Sequence, residues 1–242
     1  MESLAASSQD NLIHSLDLPL SSDSASYVEN RSESCFYASS NSFSPTGVKA
    51  IRIAVAASTF VDLGSAYLTF RLHNDGADPL LPATTAAHCL FNRYTATVSG
   101  SKAEDIQDYA RTTEQFLRCM PDNVRRNISA SSGLGTSAGT GEGHDHLSYA
   151  IPANGSVLCT HKPILSGICT QGKWWPVQFM GGGGIILEWM LSEAVDAVST
   201  AANHSNLWHI SDVKLVCSTL QLNSSLSEAY AAHVLSGKSL LI

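Results

Sequence analysis

Two stretches of this 242-residue chain group residue types that could do chemistry at once. The first is KWWPVQFMGGGGIILEWML, in which Gly181 to Gly184 stand between apolar runs. A glycine loop that cradles phosphate needs Lys and a Ser or Thr hydroxyl at the mouth of the helix it opens. Gly184 is followed instead by Ile185, Ile186 and Leu187, which offer neither. β-Branched and aromatic residues up to Trp189 suit a strand, so the spacing predicts a bulged or bent strand across 177–191. A helical spacing through Ile186, Met190, Ala194 and Val198 is the competing pattern. The second stretch is GHDHL, with His144, Asp145 and His146, and with His161 further on. Histidines two apart can share a strand face and bind metal. Nothing else there supplies a third ligand, so a solvated loop is expected and no metal is assigned. Glu188, amid apolar residues, falls on the exposed face of a strand by its period of two.

A third pattern concerns nucleophilic catalysis. TTAAHCL, residues 84–90, resembles the T-A-A-H-C signature around the catalytic histidine of chymotrypsin-like serine proteases. GTSAG, residues 135–139, fits G-x-S-x-G. The triad would be His88, an aspartate such as Asp105 or Asp108, and Ser137. Three features oppose it. The chain has no G-D-S-G-G-P, whose backbone forms the oxyanion hole in those enzymes. The separation of His88 and Ser137 is too short for two intervening barrel halves. Ser137 also lies in a Ser/Gly/Thr stretch, whereas a nucleophile elbow joins a strand to a helix. His88 and Ser137 are therefore not expected to be partners, and no catalytic residue or cofactor is assigned.

Composition narrows the class. Hydrophobic residues make up 44% and charged ones only 14%, enough to bury a substantial core. The net charge of -7 argues against a general nucleic-acid surface, which needs concentrated Lys and Arg. The pair Arg125 and Arg126 is read as a solvated face. The start, MESLAASSQD, has acid and serine where a secretory signal has basic residues and then an apolar run. No window reaches the roughly 18 apolar residues of a membrane span. Six cysteines (35, 89, 119, 159, 169 and 217) form no C-x-x-C pair and are expected to be reduced, mostly buried thiols. N-x-S sequons begin at Asn30, Asn127, Asn154, Asn203 and Asn223 and carry no implication without a secretory route.

The elements that would position any site come next. Residues 1–43 read as a flexible arm, with one short strand near Cys35. From residue 44 to 242 the pattern is that of one domain. Ile51, Ile53 and Val55 alternate with Arg52, Ala54 and Ala56, and Leu68, Phe70 and Leu72 alternate with Tyr67, Thr69 and Arg71. Asp62-Leu63-Gly64 reads as a turn between those two strands, and NDGADPLLP as a loop. Further strands are predicted over 89–98, 156–161, 177–191 and 212–222. A helix is predicted over 104–119 from the spacing of Ile106, Tyr109, Ala110, Thr113, Phe116 and Leu117, with Glu104 and Asp105 in its first turn. Residues 129–143 read as a mobile loop. A closing helix should start at a Ser225/Glu228 capping box and end before Gly237. Many short strands without alternating helices predict an all-β fold, an antiparallel jelly-roll sandwich with one inserted helix and a C-terminal helix.

SPTGVKAIRIAVAASTFVDLGSAYLTFRLHN followed by AAHCLFNRYTATVSGSKAEDIQDYARTTEQFLRCMP resembles the first jelly roll of double-jelly-roll major capsid proteins. These belong to eukaryotic double-stranded DNA viruses of the Polinton-like, virophage and nucleocytoplasmic large groups. The segments KWWPVQFMGGGGIILEWML and NLWHISDVKLVCSTLQLNSSLSEAYAAHVLSGKSL resemble a later strand of that family and its final strand with the helix leading to a second jelly roll. The resemblance covers residues 44–240. It implies a structural capsid subunit without enzymatic activity, found in the virion or in host cytoplasm or nucleus and not secreted. Its partners would be further capsid subunits in a trimeric capsomer that includes a second jelly roll, with no specific nucleic acid and no membrane span. The chain stops at Ile242, as a truncated or genome-integrated copy would. The alternatives are a carbohydrate- or protein-binding jelly roll using Trp174, Trp175 and Trp208, and a serine hydrolase using His88 and Ser137.

Overall fold

Alternation of apolar and polar residues puts one face of each strand in the core, and the structure is built on that rule. It is a computed structural model describing residues 28–135, 150–181, 183–199 and 203–236. The strands are β1 (Val28–Tyr37), β2 (Ser42–Phe43), β3 (Ala50–Val55), β4 (Phe60–Asn74), β5 (Phe91–Val98), β6 (Ser101–Ile106), β7 (Ser156–His161), β8 (Ile185–Leu191) and β9 (Trp208–Leu222). The helices are α1 (Tyr109–Arg118), α2 (Asp122–Ser132), α3 (Ala194–Ala197) and α4 (Ser224–Leu235). One sheet runs β1-β9-β4-β7, with β2 also on β9; the other runs β3-β8-β5-β6. Every strand pair is antiparallel.

The pairings are nested. The first strands pair with the last, β3 with β8, β4 with β7 and β5 with β6. This is one long antiparallel hairpin rolled into two sheets, which is a jelly roll. The predicted all-β sandwich is the fold observed. Its core lies between the inner faces, where Ile51, Ile53, Val55, Leu68, Phe70, Leu72, Leu187 and Trp189 are fully buried. Aromatic contacts hold the core: Tyr94 meets Trp189 within one sheet at 5.3 Å between centroids, and Phe70 meets Phe91 of the other sheet edge-on at 5.7 Å.

Several expectations are corrected, each by a local cause. Residues 104–106 are strand and not helix. Ser99 and Gly100 both take positive φ, 48° and 82°, the primed turn whose twist suits a two-residue hairpin. That hairpin makes β6, where Asp105 accepts from Arg93 Nη2 at 2.6 Å and Lys102 Nζ at 2.9 Å. The helix begins only at Tyr109. Residues 129–132, read as loop, end α2; Ser129 and Ser132 are buried, and Ser132 Oγ donates to the Thr85 carbonyl at 3.1 Å. Asp62-Leu63-Gly64 lies inside β4 as an irregularity held by the Gly64 N–H to Asp62 Oδ1 bond of 2.9 Å. The strand predicted from residue 89 starts at Phe91, after a 3₁₀ turn at Ala87–Leu90. β9 starts at Trp208 and passes a bulge where Asp212 has φ of 54°. Asn223, not Ser225, caps α4: its Oδ1 accepts from Leu226 N–H at 3.0 Å. The strand expected near Cys35 is the ten-residue β1. Gly237 lies outside the described residues.

The glycine run is also corrected. The strand across 177–191 resolves into a 3₁₀ turn at Val177–Phe179 and β8 from Ile185. Gly183 and Gly184 take φ of 89° and 75°, so the glycines turn the chain into the sheet and do not soften a strand. A Cβ on Gly184 would lie 2.8 Å from the Val55 carbonyl, whereas one on Gly183 would meet open space. Gly184→Ala should therefore lower stability by about 1–3 kcal/mol, and Gly183→Ala by about 1 kcal/mol from φ alone. Urea unfolding of the two variants checks the order, and equal costs would count against the close approach.

Candidate functional site

The segment 83–90 crosses one end of the sandwich, tied down by Ala83 N–H to the Ala197 carbonyl (2.9 Å). Its 3₁₀ turn buries Ala87, His88, Cys89 and Leu90. Against it lies α1, whose buried residues Tyr109, Thr113 and Leu117 follow helical spacing. This packing carries Glu114 to His88, which is only 2% exposed. A hydrogen bond joins His88 Nε2 and Glu114 Oε2 at 3.1 Å, and Arg118 Nε donates to Glu114 Oε1 at 2.9 Å. The hydrogen bond from His88, helped by Arg118, holds the Glu114 carboxyl down to about 2 against partial burial. Two adjoining depressions of about 440 and 510 Å³ flank this trio and share Ala83, Thr84, Glu114 and Arg118.

A histidine backed by a carboxylate could serve as a base if a nucleophile faced it. No hydroxyl among the described residues is bonded to His88. Thr84 Oγ1 donates to the Ala86 carbonyl (2.9 Å), and Thr85 Oγ1 pairs with Ser129 Oγ (2.7 Å). Neither aspartate proposed for a triad is bonded to His88: Asp105 is bound to Arg93 and Lys102, and Asp108 precedes α1 with φ of 48°. Ser137 lies outside the described residues, as do His144, Asp145 and His146. Glu114, the actual partner of His88, carried only one sequence signal, its i,i+4 spacing to Arg118. Its approach to His88 spans 26 residues.

The remaining candidates are structural in their surroundings. His161 is buried, and the Tyr109 hydroxyl bonds its Nε2 at 3.0 Å. Burial, and secondarily the neighbouring His88, pushes His161 down to about 3, so the ring is neutral. Among the described residues no group of three or more His, Cys, Asp and Glu side chains is placed to hold a metal. Cys89, Cys159, Cys169 and Cys217 are buried free thiols, and burial raises Cys217 to about 12. Trp175 and Trp208 are 6% and 3% exposed, so they form no stacking platform for sugar. Trp174 is partly exposed, beneath the Arg31 guanidinium at 5.4 Å. Glu188 is on the outer face of its sheet, opposite Arg52 and Thr95.

A different kind of surface is present on α4. None of its residues is buried; Tyr230 meets Phe60 edge-on at 5.7 Å, and Leu235 is 87% exposed. Leu226, Tyr230 and Val234 are only partly buried and Leu235 is exposed, on a helix whose apolar residues are mixed with Ser224, Ser225, Ser227, Glu228 and His233.

Comparison of the sequence with protein-family models and with curated proteins finds no match. Comparison of the structure with solved structures does. PBCV-1 VP54, in a crystal structure fitted into a cryo-EM reconstruction of the virophage Sputnik, superposes with a TM-score of 0.52 at 11% identity, over 88% of this chain and 47% of that one. The Sputnik virophage structure at 9% identity and the Faustovirus major capsid protein at 7% give the same score over 86% and 90% of this chain, and 51% and 58% of theirs. At these identities the likeness is one of fold. The chain spans about half the length of the structures it matches.

Proposed function

We propose that this jelly roll is a capsid-like shell subunit, a structural element and not an enzyme. The observation that carries the reading is the nested strand order, matched over 86–90% of the chain by viral capsid structures. Two further facts support it. The described residues bring no nucleophile to His88, and α4 leaves Leu235 exposed and Leu226, Tyr230 and Val234 only partly buried. In finer terms, the chain takes the place of one jelly roll, its partners are a second jelly roll and further subunits, and three such pairs form a capsomer. The location is then the virion or the host cytoplasm or nucleus. No helix of the described residues is long and apolar enough to cross a membrane, and the charge of -7 gives no general nucleic-acid surface.

Light scattering over a concentration series tests the assembly. Exposed apolar surface beyond a few hundred Å² marks association, so the chain should self-associate through α4. Tyr230→Glu with Leu235→Glu should weaken that association, and supplying a second jelly roll in the same chain should replace it with a defined species. A clean monomer at high concentration would sink the reading. The hydrolase alternative has its own check: a fluorophosphonate probe should not label the chain, and labelling lost in Ser137→Ala would revive it.

A further inference from the structure

Two sheets have four edges, and a neighbouring segment of the chain makes a contact on three of them. On β7, Gly133 at the end of α2 lies so close that a Cβ there would be 2.3 Å from the Leu158 carbonyl. On β6, Glu104 accepts from the Ile168 N–H at 2.9 Å and the Ser166 hydroxyl at 2.6 Å, which draws the 163–170 loop against the edge. On β3, the Ser39 N–H donates to the Arg52 carbonyl at 3.3 Å. The fourth edge is β1, ten residues long. Among the described residues, 30–37 make no backbone hydrogen bond outside their pairing with β9. A long open edge is a template for another strand.

Charges on an edge usually oppose pairing, because like side chains meet. On β1 they alternate in sign, as Glu29, Arg31 and Glu33. Directly opposed residues of an antiparallel pair point to the same face, so the register decides which charges meet. Centred on Arg31, a strand paired with its own copy would set Arg31 against Arg31 and Glu29 against Glu33. Centred on Ser32, it sets each Arg31 against the Glu33 of the other copy, twice. Both side chains are already held in place, Arg31 over the Trp174 ring and Glu33 by the Tyr67 hydroxyl at 3.1 Å. We propose that β1 is a homotypic interface, pairing antiparallel with β1 of a second copy of this chain in the register centred on Ser32. The proposal is independent of the shell reading, since it needs the open edge and not α4.

Analytical ultracentrifugation of the full chain tests it. Arg31→Glu opposes like charges at both positions and should weaken the dimer by about ten-fold or more. Arg31→Glu combined with Glu33→Arg reverses both partners and should restore it. In a Cys35→Ser, Cys119→Ser background, Ser32→Cys should give a disulfide-linked dimer on mild oxidation, because facing Cα atoms of an antiparallel pair lie within reach of that bond. A dimer that ignores the charge changes and does not cross-link places association elsewhere, α4 included, and overturns the proposal. So does a cross-link at Ser34→Cys but not at Ser32→Cys, which means another register. A monomer with residues 30–37 protected from hydrogen exchange means that a segment of the same chain covers the edge, and a monomer with those amides exchanging freely means that nothing does; either result overturns it.

Discussion

Trp189→Ala should remove a large share of the protein's stability. Trp189 is fully buried on β8, between Ile51 of β3 and Tyr94 of β5, with the Tyr94 ring 5.3 Å away. Truncating a buried aromatic loses its transfer free energy and leaves a cavity that the surroundings only partly fill, together about 3–5 kcal/mol. Domains have only about 5–15 kcal/mol in total. Its Nε1 has no hydrogen-bond partner among the described residues, so Trp189→Phe forfeits volume alone and should cost less, about 1–2 kcal/mol. Trp174→Ala, at a partly exposed ring over which Arg31 lies, should cost about 1 kcal/mol or less. Urea unfolding followed by far-ultraviolet circular dichroism measures all three. A Trp189→Ala cost below about 1 kcal/mol would contradict the packing described for the core.

The second large effect is on acid stability. His161 has its folded pKa lowered from 6.5 to about 3 by burial. Between those values the unfolded chain takes up a proton that the folded chain refuses, so stability is fully present above 6.5 and falls as pH drops toward 3. Each unit is worth roughly 1.4 kcal/mol, which makes the loss on the order of several kcal/mol. Glu114, lowered to about 2, adds its loss later, as pH falls below the ordinary carboxylate value and through 2. His73 is lowered too, by partial burial and then by the stacked His209, and contributes in the upper window. His161→Phe should therefore flatten the fall between pH 6.5 and 4.5 without abolishing it, although it also strands the Tyr109 hydroxyl and costs stability at neutral pH. Unfolding free energies at several pH values decide this. An unchanged slope would mean that His161 titrates normally in the folded chain.

The site around His88 was legible only in fragments. The buried face of α1 was readable because Tyr109, Thr113 and Leu117 follow the 3.6-residue period. Its start was not, since Glu104 and Asp105 look like the acidic first turn of a helix whether or not a hairpin claims them. What claims them is Arg93 across the sheet and the backbone of residue 168, and neither is visible in a local window. The serine-rich end of α2 was read as loop for the same reason. Ser and Thr have weak intrinsic helix preference, and only burial against residue 85 holds them helical.

The sequence by itself determined the inner faces. Apolar residues at period two on residues 51–55 and 68–72 must bury one side of each strand, and a chain with few helical periods has to solve that burial with paired sheets. The loop at NDGADPLLP was likewise determined, since its Gly, Pro and Asp residues left the backbone little choice. The tertiary structure alone decided which strands pair, because β1 meets β9 across nearly the whole chain and hydrophobic pattern carries no address. It also decided that the glycines form a turn, since positive φ is open to any glycine and only the Val55 carbonyl beside Gly184 makes it necessary. Finally, it decided which surfaces remain uncovered. An edge is open or shielded only once every neighbour is in place, and that is why β1 and α4 could not be singled out from residue types alone.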